Sequence, residues 1–338
     1  MKKFKRRVQL TGKSTYIISL PKEWTSTVGL NKGDEVILEI LPDLALRLYP
    51  IKEGVTIKLC KNVDLKLNNF ETAIIETISA YLAGYDKIKV KTQANNAIIN
   101  KKLIETIKNK IIGLEILEET SDSINMYSIL DDASILLLDV LKKLVVTVNS
   151  MLDDIEVVLS DPKNKEVIMN IVARDNIVDK LFLFALRNLN QILTGRVPLS
   201  NTPMKNLSEA LYLTIGLKGI ERIADHTEVI AKHILENDGL NIPTELIDVY
   251  KSVKELTKKA LNAFISVNKN VASEVLQRIL QLKPKEISFT LGNLDIHDAL
   301  RLQFILESIK RIIAYTIDII EATIDIATIR EYNESLKL

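Results

Sequence analysis

Two carboxylate doublets are the residues in this chain best placed to do chemistry. Asp175 and Asp179 form the first and Glu221 and Asp225 the second, each spaced i,i+4. Asp175 interrupts the heptad column Ile168, Phe182, Leu189, and Asp179 interrupts the parallel column Val172, Leu186, Leu193. Carboxylates in an apolar stripe are costly to desolvate, so they must be protonated, paired with a cation, or ligating a metal. Carboxylates one helical turn apart share a face and can address one hard cation. Two doublets on adjacent helices would make a four-acid site suited to Mg, Mn or Fe rather than a thiol-type metal. Taken singly, such doublets are usually solvated or paired with nearby Lys and Arg. Glu221 and Asp225 lie at the flank of their helix's apolar face, where that plainer reading is stronger.

A second cluster is basic. Between Met1 and Lys22 lie Lys2, Lys3, Lys5, Arg6, Arg7, Lys13 and Lys22, with no acid before Glu23. The formal net charge is only +1, so a nucleic-acid contact must be local, and Arg6, Arg7, Lys13 and Lys22 are its candidates. Arginine suits phosphate recognition, and a dimer would double the charge. Terminal lysines are also often merely solvated. No Gly-x-Ser-x-Gly or Walker-type string occurs, and His226, His233 and His297 have no nucleophile partner in sequence, which disfavours an enzyme. His226 reads as a flank histidine and Trp24 as a core anchor.

These residues require elements to hold them. The 338 residues are 47% apolar, too many for one ordinary core. The one cysteine, Cys60, excludes an internal disulfide and reads as a small buried residue in a reducing compartment. No signal peptide or span of about 20 apolar residues is visible, and a cytoplasmic location is expected. Residues 1–50 alternate as a hairpin around Gly12, a helix opened by Pro21, and strands near 36–41 and 46–49. So small a unit would share its core with a second copy, so a homodimer is expected. Residues 51–130 alternate strands (55–59, 87–91, 114–118, 124–128) with helices (70–84, 101–112), a small α/β domain in which Gly84-Tyr85-Asp86 is only a turn. Residues 131–239 and 240–338 each read as a three-helix bundle. The overall class is multidomain α+β: a swapped-hairpin β-barrel half, the α/β domain, then two tandem antiparallel three-helix bundles.

The bundles repeat. Glu221-Arg222-Ile223-Ala224-Asp225-His226-Thr227 and Lys310-Arg311-Ile312-Ile313-Ala314-Tyr315-Thr316 match at Arg, Ile and Thr. Where the first bundle has acids, the second has Ile279, Lys283, Lys310 and Ala314. Joint loss suggests that the four acids act together.

With its ERIADHT string at 221–227 and its doublets, the region 132–330 resembles the PhoU phosphate-uptake regulator family. The resemblance implies a multinuclear metal cluster on Asp175, Asp179, Glu221 and Asp225, divalent or trivalent. Asn176 stands where the family often has an acid, and only one bundle keeps the pattern. Residues 7–12, 18–24 and 29–36 are similar to the SpoVT/AbrB swapped-hairpin DNA-binding family, which implies dimerisation and DNA contact. Together they imply a DNA-binding regulator of phosphate uptake. The alternatives are an adaptor contacting a phosphate transporter or its signalling kinase, and a metal-dependent hydrolase motivated only by the clustered acids.

Overall fold

The computed structural model describes residues 3–40, 45–50, 59–65, 69–92, 97–129, 136–197, 199, 202–237, 239–285 and 296–335. The chain divides into two units, one running to Lys58 and one spanning Leu59–Ser335.

In the first unit, β1 (Gln9–Thr11) pairs antiparallel with β2 (Thr15–Ile17), Leu10 opposite Tyr16. Gly12 turns the hairpin at φ +62°, a conformation that suits glycine. Pro21 precedes α1 (Lys22–Thr27), its fixed φ and missing N–H being harmless there. An Asn31–Asp34 turn, closed by the Asn31 amide donating to Asp34 Oδ2 at 2.7 Å, leads to β3 (Val36–Ile40), which pairs antiparallel with β4 (Leu46–Pro50). Among the described residues of this unit none is buried, and Trp24 is only half-buried. Tyr16 is 74% and Ile40 73% exposed.

The second unit begins with a four-stranded sheet, β5 (Cys60–Asp64), β6 (Lys87–Lys91), β7 (Leu114–Glu119) and β8 (Ser123–Ser128), in the order β5-β6-β8-β7. Only β5 and β6 are parallel, as the intervening helix α2 (Phe70–Leu82) requires. Alternation turns Val63, Ile88, Val90, Ile124 and Met126 toward α2 and α3 (Ala97–Lys110), where they meet Tyr81, Leu103 and Ile107. The expected strand 55–59 lies almost wholly outside the described residues. Cys60 is exposed rather than buried: it opens an edge strand and has the opposite parity to Val63, the residue of that strand that enters the core.

The helical body comprises α4 (Leu137–Ser160), α5 (Lys165–Leu193), α6 (Glu209–Glu236), α7 (Thr244–Ser266), α8 (Lys269–Lys285) and α9 (Ile296–Ser335). Helices α4, α5 and α6 pack on one another, as do α7, α8 and α9, while α6 lies against α9 and α4 against α7. One continuous apolar cluster runs through all six. The α4–α7 contact is edged with charge, Lys258 donating to Asp153 at 2.8 Å and Lys254 to Glu156 at 2.6 Å. Beneath it the buried Tyr250 hydroxyl donates to the Leu152 carbonyl at 2.7 Å.

The α/β layer is fastened to α5. Arg187, fully buried, donates to the Tyr81 carbonyl at 2.6 Å and to the Tyr85 carbonyl and Ser128 Oγ, both at 3.3 Å. Asn190 donates to the Leu82 carbonyl at 2.9 Å, and Arg196 grips the Gly84 carbonyl and both Asp86 oxygens. Cations thus meet the carbonyls that end α2, where its dipole is negative. Gly84-Tyr85-Asp86 is therefore a docking element as well as a turn.

Candidate metal centre and nucleic-acid interface

Helix α5 starts with Asn164 accepting from the Val167 amide, an N-cap that satisfies a free donor of the first turn. Its apolar face, with Ile168, Ile171, Val178 and Phe182, packs into the core, and on that face Asp175 is only 9% exposed. Helix α6 supplies Asp225 from the neighbouring face. Oxygens of Asp175, Asp179 and Asp225 lie within 4.8 Å of one another. Three carboxylates at that separation repel unless a proton or a cation lies among them.

Burial, then the charges of Glu228, Asp179 and Asp225, push Asp175 up to about 7. Burial and then Asp225 raise Asp179 as well, against opposing pulls from Lys110 and Lys218. Asp175 Oδ1 is buried with no hydrogen-bond partner, an acceptor that a cation would satisfy. The donors are all carboxylate oxygen, a set that fits a hard cation such as Mg, Mn or Fe.

Glu221 stands apart from this group. Both its oxygens accept from Lys218 Nζ at 2.6 Å, and Arg222 Nε lies 3.8 Å away. Burial raises its carboxyl even so. Asp225 accepts from Arg222 Nη1 at 2.9 Å. His226 stacks on Tyr315 with ring centroids 5.8 Å apart, and its Nδ1 is buried and unpartnered. Burial lowers its affinity for a proton, in keeping with a neutral packed ring. His233 bonds the Arg301 carbonyl at 2.9 Å.

Glu228 and Arg187 escape notice in the sequence. Glu228 sits in an ordinary i,i+4 pair with Lys232. Arg187, however, lies between Phe184 and Leu189 in an apolar run, the same anomaly that singled out Asp175.

In the first unit Arg6, Arg7, Lys13 and Lys22 are all exposed. Arg6 lies over the Phe4 ring at 5.8 Å. Arg7 precedes β1, Lys13 lies in the turn between β1 and β2, and Lys22 opens α1.

Residues 141–234 match the family model for the PhoU domain, and residues 9–56 match that for the antidote-toxin recognition protein MazE, a bacterial antitoxin. The solved PhoU of Pseudomonas aeruginosa is 17% identical, with a TM-score of 0.48, over 57% of this chain and 95% of its own. The phosphate transport system regulatory protein PhoU of Streptococcus pneumoniae is 18% identical, with a TM-score of 0.45, over 57% and 91%. No curated protein matches the chain.

Proposed function

We propose that this chain, which joins a segment of the MazE/AbrB type to a PhoU domain, is a cytoplasmic, homodimeric DNA-binding regulator of phosphate uptake whose helical body holds a metal ion. The observation that carries the metal reading is the convergence of Asp175, Asp179 and Asp225 around an orphaned, buried oxygen. A bound divalent or trivalent cation would neutralise these carboxylates and tie α5 to α6. Two tandem three-helix bundles are the architecture this reading uses, with the acids confined to the first.

The DNA reading is supported by the exposed, acid-free basic segment ahead of Glu23 and by its MazE-type match. Dimerisation is supported by the apolar side chains that the first unit leaves uncovered. No described helix is long and apolar enough to cross a membrane.

Titrating duplex DNA at several salt concentrations tests the reading. Binding should weaken steeply with salt, and Arg6→Ala with Arg7→Ala should cut affinity and lower the slope of log K against log salt by about 1.8 in a monomer's worth of contacts. Absence of salt-dependent binding would sink it. The PhoU match favours a second reading, an adaptor that contacts a phosphate transporter, with the first unit serving to dimerise. Recovery of transporter components by the Arg6→Ala, Arg7→Ala variant would favour that adaptor.

A further inference from the structure

We propose that the open face of the four-stranded sheet is a second contact between copies of this chain, with β6 of each copy lying over β7 of the other. This rests on the homodimer reading, to which it adds a site. Helices α2 and α3 pack on one face of the sheet, and α5 meets those helices. Strand parity turns Lys87, Lys89 and Lys91 of β6 to the opposite face, in register with Tyr127, Asn125 and Ser123 of β8. Beyond β8, Glu115 of β7 is in register with Tyr127 and Glu118 with Asn125. The face is thus a column of cations, a neutral column and a column of acids, side by side. Lys91, Glu115 and Glu118 are exposed, and Lys87 and Lys89 half-buried. Lys89, Lys91 and Glu115 have no ion-pair partner among the described residues.

Such a face is complementary to itself. A two-fold axis running parallel to β8, between two facing sheets, sets β8 over β8. It also sets the lysines of β6 over the acids of β7, because these strands flank β8 on opposite sides. Residues in register stay level under that rotation, so Lys87 meets Glu115 and Lys89 meets Glu118 of the second copy. Unlike charges then face each other. A nucleic acid fits this face less well, since the acids of β7 on one side and Asp64 of β5 on the other would repel its phosphates. Asn125, at the centre, marks the face as incomplete: it is only 5% exposed, its amide nitrogen donates to Glu118 at 3.1 Å, and its Oδ1 is buried without a partner. A donor from an opposing layer would satisfy that oxygen. Four strands of about five residues cover roughly 300 Å², well short of the roughly 800 Å² per partner of a stable interface. The contact therefore acts beside a stronger one, which on the homodimer reading the first unit supplies, raising the local concentration of the two faces.

The test is zero-length carbodiimide cross-linking of the full chain, with unlabelled and isotopically labelled copies mixed and allowed to exchange, read by mass spectrometry. Cross-links of mixed label joining Lys87 or Lys89 to Glu115 or Glu118 are expected. In sedimentation, Lys87→Glu with Lys89→Glu should raise the dimer dissociation constant about tenfold, and so should Glu115→Lys with Glu118→Lys. An equimolar mixture of these two variants should return to within about threefold of the parent, because every acid then meets a lysine across the contact. Two misfolded variants would not rescue each other. Absence of mixed-label cross-links from a chain that sediments as a dimer would overturn the contact and leave the homodimer reading intact, whereas a chain that sediments as a monomer would end both. If duplex DNA shielded Lys87 and Lys89 from acetylation in the Arg6→Ala, Arg7→Ala variant, the face would belong to nucleic acid and the proposal would fall.

Discussion

His226 and Tyr315 hold the same place in the two copies of the repeated string, and their rings stack 5.8 Å apart. The neighbouring threonines repeat as well, Thr227 donating to the Ile223 carbonyl and Thr316 to the Ile312 carbonyl, both at 2.7 Å. Helices α6 and α9 therefore meet through equivalent residues. The contact is close: a Cβ on Gly219 would lie 2.7 Å from Ile319 Cγ1.

Gly216 permits a similar approach on the side of α7. A Cβ there would lie 2.2 Å from Phe264 Cζ, and Phe264 is buried. Gly216→Ala gains about 1 kcal/mol of helix propensity, yet overpacking costs about 1–3 kcal/mol. A lower denaturation midpoint with an unchanged m-value is expected; a raised midpoint would show that the ring yields.

Asp175 makes the metal-free protein sensitive to pH. Its carboxyl is raised from 3.8 to about 7 in the fold, so between these values the folded state holds a proton that the unfolded chain has released. Its contribution to stability is therefore greatest at acid pH and is lost as pH rises through about 7, by at most about 4 kcal/mol. Asp175→Asn should flatten the dependence between pH 5 and 8 in chelator-treated protein and make it more stable at pH 8. A native-like slope in the variant would exclude Asp175 as the source.

Arg187 holds the α/β layer to α5. Replacing it with Met leaves the Tyr81 and Tyr85 carbonyls without that donor in a buried place, at a cost of about 2–4 kcal/mol. Chemical denaturation should show the loss, and proteolysis should begin in residues 59–129. Cleavage confined to the helical body would contradict this role.

The first unit exposes Leu38 at 60% and Ile40 at 73%, which a second copy would cover. Ile40→Lys should shift the sedimentation coefficient of the full chain toward that of a monomer at micromolar concentration. A dimer that persists unchanged would place the interface elsewhere.

Much of this was legible in the chain. Breakers such as Pro21 and Gly12 act through their immediate neighbours, and helical and strand periodicity is a local property, so the hairpin and the helix after it are read from the chain alone. The inward phase of Asp175 follows from the same periodicity, and the lack of matching acids at Ile279, Lys283, Lys310 and Ala314 is read from the repeated string itself.

What only the tertiary structure decided is which groups face one another across helices. Glu221 and Asp225 lie about one turn apart on α6, and their spacing cannot show which of them meets the acids of α5. The packing of α6 on α5 brings Asp225 to Asp175 and Asp179 and leaves Glu221 to Lys218. Likewise Arg187 finds the end of α2 across 106 residues of chain, a meeting fixed by packing rather than by any local spacing. Periodicity sets the direction of a side chain, whereas its partner depends on long-range contacts that no single helix encodes.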